Sequence, residues 1–241
     1  MRRTNDMKVW MILLATLVFT FYLAAIVMSV PEGPSVITGI ANKTKTPTSG
    51  GQLNTSGGII SVINLNASTQ NLRWKAYVGN VSGTLTLSDA ASNAIYNWVV
   101  TQNNGEVYAT RSSGTPLWTN VSCANRTIME TENLALGQTS PDDNITRTFN
   151  GTTHNAFYVG INRILANACP TTNTYINGTA QDSSFEEIVI YDGTTVLFAT
   201  NLEQHVAGYD LSKYDFQIIL PENGTVGFSS FTPYYFYVEL L

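Results

Sequence analysis

Three short runs of alternating apolar and polar residues lie between Leu72 and Val100, in LRWKAYVGNVSGTLTLSDAASNAIYNWVV. A period of two places successive side chains on opposite faces of a β-strand. Gly79 to Gly83 and Asp89 to Asn93 separate the runs, and both contain residues that favour turns. The stretch therefore predicts three antiparallel strands in a meander.

The same alternation recurs along the rest of the chain, apart from a middle section, Leu117 to Gln181, whose pattern is ambiguous. Within that section, the apolar run Ala156 to Leu165 fits either a strand or a helix. The remaining predicted strands are Ile59 to Asn66, Glu106 to Arg111, Phe185 to Tyr191, Thr195 to Thr200, Asp215 to Leu220 and Thr232 to Leu241. Short strands at close spacing predict a mainly β fold, an antiparallel sandwich or barrel-like domain over residues 59–241 with a loop-rich middle.

The N-terminus carries an uncharged apolar run of 21 residues, Trp10 to Val30, which follows Arg2, Arg3 and Lys8. A helix of that length spans about 30 Å, the thickness of the hydrocarbon core of a bilayer. Residues 1–30 are therefore predicted to be a transmembrane signal anchor or a cleaved signal peptide. The positive-inside rule places the remainder outside. The expected location is the cell membrane, with a single pass, or the exterior if the segment is cleaved.

Residues 31–58 are rich in Pro, Gly, Ser and Thr and contain few large apolar side chains. Such a segment cannot bury enough surface to offset its ordering entropy, which predicts a spacer between the membrane and the β domain. The alternative is that Ser35 to Ile40 adds an edge strand.

Charged residues make up only 12% of the chain, and the formal net charge is −5. Nucleic-acid binding requires clustered cations, so no nucleic-acid partner is expected.

Sequons for N-linked glycosylation, Asn-x-Ser/Thr, are about twice as frequent as the Asn, Ser and Thr content predicts. N-linked glycans are therefore expected, above all in the turn-like contexts. The ten sequon asparagines are Asn42, Asn54, Asn66, Asn80, Asn120, Asn125, Asn144, Asn150, Asn177 and Asn223.

The two cysteines, Cys123 and Cys169, both follow the apolar segment and therefore lie in a compartment that permits oxidation. They are expected to form a disulfide, with two buried free thiols as the alternative. Two cysteines and two histidines do not make a structural zinc site.

No motif of a familiar enzyme class is present, so no catalytic residue, cofactor or metal site is predicted. His154 and His205 are expected to be structural. Glu186 and Glu187 are neighbours in a predicted strand, so they point to opposite faces and do not form a carboxylate pair. Asp142-Asp143-Asn144 offers oxygen ligands suited to calcium, but a solvated turn explains it better.

Several aromatic side chains could line a sugar-binding platform, although packing in the core and across strands is the default expectation for them. They are Trp74, Trp98, Tyr77, Tyr96, Tyr234, Tyr235 and Tyr237.

The stretches RWKAYVGNVSGTLTLSDAASNAIYNW, FEEIVIYDG and DFQIILPENG, with the ending TPYYFYVELL, resemble a group of uncharacterised archaeal proteins. The resemblance covers most of the chain from Ile59 to Leu241. It implies an archaeal cell-surface protein and transfers no site residues. The expected function is a non-enzymatic envelope glycoprotein with a structural or assembly role, whose partners are its own copies or other envelope proteins. The alternative is a carbohydrate- or protein-binding adhesin.

Overall fold

The structure, a computed structural model, describes residues 29–100, 104–138, 140–223 and 231–241. The predicted signal anchor of residues 1–30 lies almost entirely outside this part of the chain. No helix within the described residues is both long and apolar enough to cross a membrane.

The fold is mainly β, and all of its paired strands are antiparallel, as predicted. In chain order the strands are β1 Trp74–Gly79, β2 Thr84–Ser88, β3 Ala94–Val99, β4 Gly105–Thr110, β5 Ser122–Cys123, β6 Phe157–Val159, β7 Asn162–Ile164, β8 Thr171–Asn173, β9 Glu186–Tyr191, β10 Val196–Asn201, β11 Val206–Ala207, β12 Lys213–Tyr214, β13 Phe216–Pro221 and β14 Tyr235–Leu240. The helices are α1 Arg126–Ala135, the single turn α2 Ile145–Thr148, and a 3-10 turn at Trp118–Asn120.

A six-stranded sheet forms the centre, in the order β14-β4-β10-β9-β5, with β8 also paired to β9. The predicted hairpin of β9 and β10 is confirmed. Asp192 shapes its turn, because its carboxylate accepts hydrogen bonds from the backbone N–H groups of Thr194 and Thr195. No sheet in the described part of the chain closes into a barrel, so the barrel-like alternative is not formed.

The two faces of the central sheet are covered by different elements. The β6–β7 hairpin and the 3-10 turn pack against one face, where the apolar cluster includes Tyr108, Trp118 and Ile190. The other face is covered by α1, α2 and the β1–β13 pair, and its cluster includes Phe149, Phe198 and Leu220. The ambiguous run Ala156 to Leu165 is therefore neither one strand nor a helix, because Gly160, with a φ of 55°, turns it into the β6–β7 hairpin.

Both helices begin at sequon asparagines. The side chain of Asn125 accepts a hydrogen bond from the backbone N–H of Ile128, and Asn144 does the same for Arg147. Such caps satisfy N–H groups that have no partner within the first helical turn. The loop-rich middle predicted from sequence thus contains the helices that cover one face of the sheet.

Two predictions about the strands are wrong. The meander is not formed, because β1 pairs with the distant β13, while β2 and β3 pair only with each other. The strand expected at Ile59 to Asn66 is also absent, and all eight residues are exposed. Ser35 to Ile40 forms no edge strand, although Glu32 makes a two-bond bridge to Val238 at the outer edge of β14.

Candidate functional site

A row of polar side chains crosses four strands of the central sheet on one face. Glu239 of β14 lies opposite Glu106 of β4, and Glu106 lies opposite Asn201 of β10. Asn201 donates a hydrogen bond to Glu186 of β9 over 3.2 Å. The three carboxylates are buried. We call Glu239, Glu106, Asn201 and Glu186 the carboxylate row.

The two ends of the carboxylate row are well supplied with hydrogen-bond donors. Glu239 accepts from the Tyr108 hydroxyl at 2.9 Å and from the Gly160 backbone at 3.0 Å, while Glu186 accepts from the Asn155 backbone at 2.7 Å. The centre of the carboxylate row lacks such donors. Glu106 Oε2 and Asn201 Oδ1 are buried acceptors with no hydrogen-bond partner among the described residues. A proton on the Glu106 carboxyl would supply the missing donor.

Electrostatics favour that proton. Burial, and next the facing Glu239 carboxylate, raise the pKa of Glu106 to about 8, against the opposing effect of Tyr108. Burial raises the pKa of Glu239 as well, and its hydrogen bonds from Tyr108 and Gly160 oppose that rise. On the opposite face, burial raises the pKa of Glu187 well above its usual value, although Glu187 accepts a hydrogen bond from the Ile219 backbone. Glu186 and Glu187 therefore do point to opposite faces, as predicted.

The carboxylate row is not open to a substrate. The β6–β7 hairpin covers it, through Gly160 on Glu239 and through the Tyr158 carbonyl on Tyr108. A separate cleft of about 370 Å³ lies between β4, α1 and the β9–β10 hairpin, and no member of the row lines it. Its two facing charges, Arg111 and Glu132, are already joined as a bidentate ion pair. No local sequence pattern predicts that the members of the carboxylate row lie together. The one hint is that Glu239 is the single charged residue in the apolar stretch YYFYVELL.

The two histidines occupy different positions. His154 is buried, and its Nε2 accepts hydrogen bonds from the backbone N–H groups of Ala168 and Cys169, both at 3.0 Å. His205 lies at the surface, where its ring contacts the buried Asp215. The structure does not bring the two imidazoles into one cluster with other ligands, since no group of three or more His, Cys, Asp or Glu suited to a metal occurs in the described ranges.

The Asp142-Asp143-Asn144 segment holds other parts of the chain in place. Asp143 accepts hydrogen bonds from Asn71 and Arg73, and its backbone carbonyl accepts one from the Trp74 indole at 2.6 Å. Asn144 caps α2. These contacts fix the start of β1 against the body of the domain.

The predicted disulfide is confirmed. Cys123 of β5 and Cys169, just before β8, are bonded, and both belong to the apolar cluster on the face covered by β6 and β7. The bridge ties two elements that each pair with β9.

The sequon asparagines lie at the surface, except that Asn144 is half-buried. Their side chains differ in freedom. Asn120 donates from its Nδ2 atom to the carbonyl of Asp192, and a Cβ placed on Gly193 would lie 2.3 Å from that nitrogen. Asn177 occupies a turn with a φ of 49°.

The seven aromatic side chains proposed for a platform do not form one surface. Trp74 and Tyr234 pack on the face covered by α1 and α2, and Tyr237 packs against Trp118 on the other face. Tyr77 contacts Phe236 at the edge of β14, next to the exposed Tyr235. Tyr96 and Trp98 are exposed neighbours on β3, with ring centroids 4.9 Å apart.

Two exposed apolar elements remain outside the core. One is the β2–β3 hairpin, all of whose residues are exposed. The other is the run Ile59–Leu65, in which Ile60 and Val62 are 93% and 94% exposed. This run lies within residues 33–70, and we call residues 33–70 the leader. Alternation in both elements predicts burial, so the sequence gives no signal that the domain itself leaves them uncovered.

Comparisons with known proteins find no matching family model, no matching curated protein and no matching solved structure.

Proposed function

We propose that the protein is a non-enzymatic cell-envelope glycoprotein with a structural or assembly role, as an S-layer-associated protein, a surface coat or a filament subunit. The observation that carries this proposal is the exposed apolar run Ile59–Leu65. Its β-branched residues suit a strand, and large apolar side chains left together in water mark an interaction surface.

Strand addition is the chemistry that such a run offers. An extended segment pairs its backbone with an open sheet edge, and alternate side chains fill the pockets beside it. The terminal strand β14 is not a free donor segment, because one of its sides is already paired with β4 over its whole length. Ser35 to Ile40 remains exposed and is a second donor segment in the same leader.

The location in the envelope rests on independent features. The sequence begins with an apolar segment suited to a signal anchor or signal peptide, and it continues with ten sequons. The Cys123–Cys169 bridge fits an oxidising compartment. The proposed arrangement is a single-pass protein with the β domain outside the membrane, or a secreted one after cleavage, folded as a sandwich-like ectodomain.

Substitution of the leader run tests the assembly role. Ile63→Ser with Leu65→Ser removes two exposed apolar side chains of the run, so folding should be unaffected while assembly is lost. The full chain, extracted gently from the envelope, would be sized by sedimentation and viewed by electron microscopy. The association constant for assembly should fall by at least about tenfold, which corresponds to about 1.4 kcal/mol.

Leu53→Ser with Ile161→Ser is the matched control, because both side chains are also exposed apolar groups but lie outside the run. It should assemble like the unaltered chain. Unchanged assembly of the Ile63→Ser, Leu65→Ser protein would contradict the role given to this run.

A carbohydrate- or protein-binding adhesin is the second candidate, and the exposed Tyr96–Trp98 pair favours it. Adjacent aromatic rings at the surface suit stacking against a sugar. A glycan array probed with the full chain distinguishes this candidate. Binding that is lost in Trp98→Ser would support the adhesin, whereas no binding on the array supports the structural role.

A further inference from the structure

The β2–β3 hairpin presents an amphipathic surface. Its register places Leu85 opposite Trp98 and Leu87 opposite Tyr96, so all four side chains lie on one face. All four are exposed, by between 43% and 60% of their surface. Cross-strand apolar pairs of this kind normally pack against a core. Here the described residues provide no such cover.

An isolated hairpin of this size needs a partner. Two antiparallel strands alone are at best marginally stable in water, and a third strand or a packed face is required for stability. Gly83 brings the base of the hairpin close to the Leu240 side chain, but no other described strand is hydrogen-bonded to β2 or β3. Both outer edges of the hairpin are therefore without a strand partner among the described residues.

The open edges select a protein partner over a lipid one. In hydrocarbon, backbone groups without hydrogen bonds cost several kcal/mol each, so a hairpin with two open edges does not insert there. A strand from a protein satisfies those groups. The hairpin carries a single charged residue, Asp89 in its turn, and contains no sequon.

The chain itself contains a strand of matching character. In an extended conformation Ile59, Ile63 and Leu65 lie on one side, and this side can continue the apolar face formed by Leu85 and Trp98. Three strands with one apolar face meet the requirement that two strands do not.

A second copy can supply this strand more readily than the same chain. Asn71 and Trp74 are held by Asp143 at the start of β1, whereas the hairpin leaves from the other end of β1, after Gly79. The six residues that follow Leu65, up to Asn71, reach about 20 Å, and β1 is about 17 Å long. Nearly the whole tether would be needed to run past β1 before the hairpin begins.

We propose that the β2–β3 hairpin of one copy accepts the Ile59–Leu65 run of a second copy as its third strand. This inference rests on the proposed assembly role and names its partner and its acceptor surface.

Disulfide trapping tests the contact. The full chain has no free thiol in its described residues, since Cys123 and Cys169 are bonded. Chains with Ile63→Cys and chains with Leu87→Cys, carrying different tags, would be mixed and allowed to assemble before mild oxidation. Dimers that contain both tags should form, and their yield should exceed that of a matched Ile63→Cys with Tyr235→Cys mixture by at least about tenfold.

The matched mixture matters because Tyr235 is an exposed residue of β14, the other edge at which a strand could add. Equal trapping with Tyr235→Cys would overturn the inference. A single chain that carries both Ile63→Cys and Leu87→Cys provides the second check, and a disulfide that forms only within this chain, and never between two chains, would overturn the inference as well. If the unaltered chain assembles without this contact, the inference fails and the assembly role stands. If the unaltered chain does not assemble at all, the assembly role itself fails.

Discussion

Glu239 and Glu106 lie directly opposite each other on β14 and β4, and both carboxyl groups are buried. Of these two carboxyl groups, only that of Glu239 has hydrogen-bond donors at both of its oxygen atoms, from Tyr108 and Gly160. Side chains in such cross-strand pairs are about 5 Å apart at Cβ, so two charges there would repel strongly in a poorly solvated site. The Glu106 carboxyl therefore holds a proton at neutral pH, in accordance with its pKa of about 8.

This proton makes stability fall as pH rises. Between the ordinary glutamate pKa of 4.5 and about 8, the folded chain retains a proton at Glu106 that the unfolded chain releases. The stabilisation is complete below about 4.5 and is lost as the pH passes through about 8, with a slope of up to about 1.4 kcal/mol per pH unit. Thermal unfolding measured between pH 4 and pH 9 should show a decreasing Tm across that window.

Glu106→Gln should reduce the slope, because the amide cannot ionise and still provides a donor beside Asn201. It should not abolish the slope, because the pKa values of Glu187 and Glu239 are also raised. Glu239→Gln is the informative comparison. It replaces an acceptor of the Tyr108 or Gly160 hydrogen bonds with a donor, so it should destabilise the fold at every pH. An unaltered pH slope in Glu106→Gln would show that the proton resides elsewhere.

Gly105→Ala should detach the terminal strand. Gly105 has a φ of 130°, and a Cβ there would lie 1.9 Å from the Glu239 carbonyl oxygen. The β4–β14 ladder would have to separate, which should raise hydrogen exchange throughout Tyr235–Leu240. Gly33→Ala is the control, since nothing lies within 4 Å of its added methyl group. Similar exchange in both variants would contradict the close approach.

Loss of the disulfide should lower stability without changing the fold. Cys123 and Cys169 are 46 residues apart, a loop for which the chain-entropy model gives about 4 kcal/mol. Cys123→Ala with Cys169→Ala should therefore unfold at a lower denaturant concentration, as measured by circular dichroism. A midpoint equal to that of the unaltered chain would mean that the core alone fixes this loop.

Glycan occupancy should differ among the sequons. The Asn120 amide nitrogen lies close to Gly193 and donates to the Asp192 carbonyl, so a glycan on it would have to displace these contacts. Asn80, in the link between β1 and β2, and Asn177, in a turn, are both exposed. Glycopeptide mass spectrometry should find glycans at Asn80 and Asn177 and none at Asn120. A glycan at Asn120 would require that corner of the domain to be rearranged.

Strands with strong local signals could be predicted from the sequence. Glu106 to Arg111, Phe185 to Tyr191 and Thr232 to Leu241 correspond closely to β4, β9 and β14, because alternation and turn residues are local properties. The pairing of β1 with β13 could not be predicted from the sequence, because it joins residues more than a hundred positions apart. The carboxylate row is unpredictable for the same reason.

The strand predicted at Ile59 to Asn66 is absent for a different reason. Its alternation correctly describes a segment suited to a strand, but pairing requires a neighbour, and the domain supplies none within its described residues. The same holds for the apolar face of the β2–β3 hairpin, which resembles a core strand in sequence and lies in water in the structure. Sequence patterns report the need for burial and do not identify the partner.

The size of the native particle tests the central claim most directly. The full chain, extracted gently from its native source, would be fractionated by sedimentation and each fraction examined by electron microscopy. The assembly role predicts large, regular polymers in which the Ile59–Leu65 run is protected from exchange and proteolysis. Discrete monomers with that run accessible would contradict it.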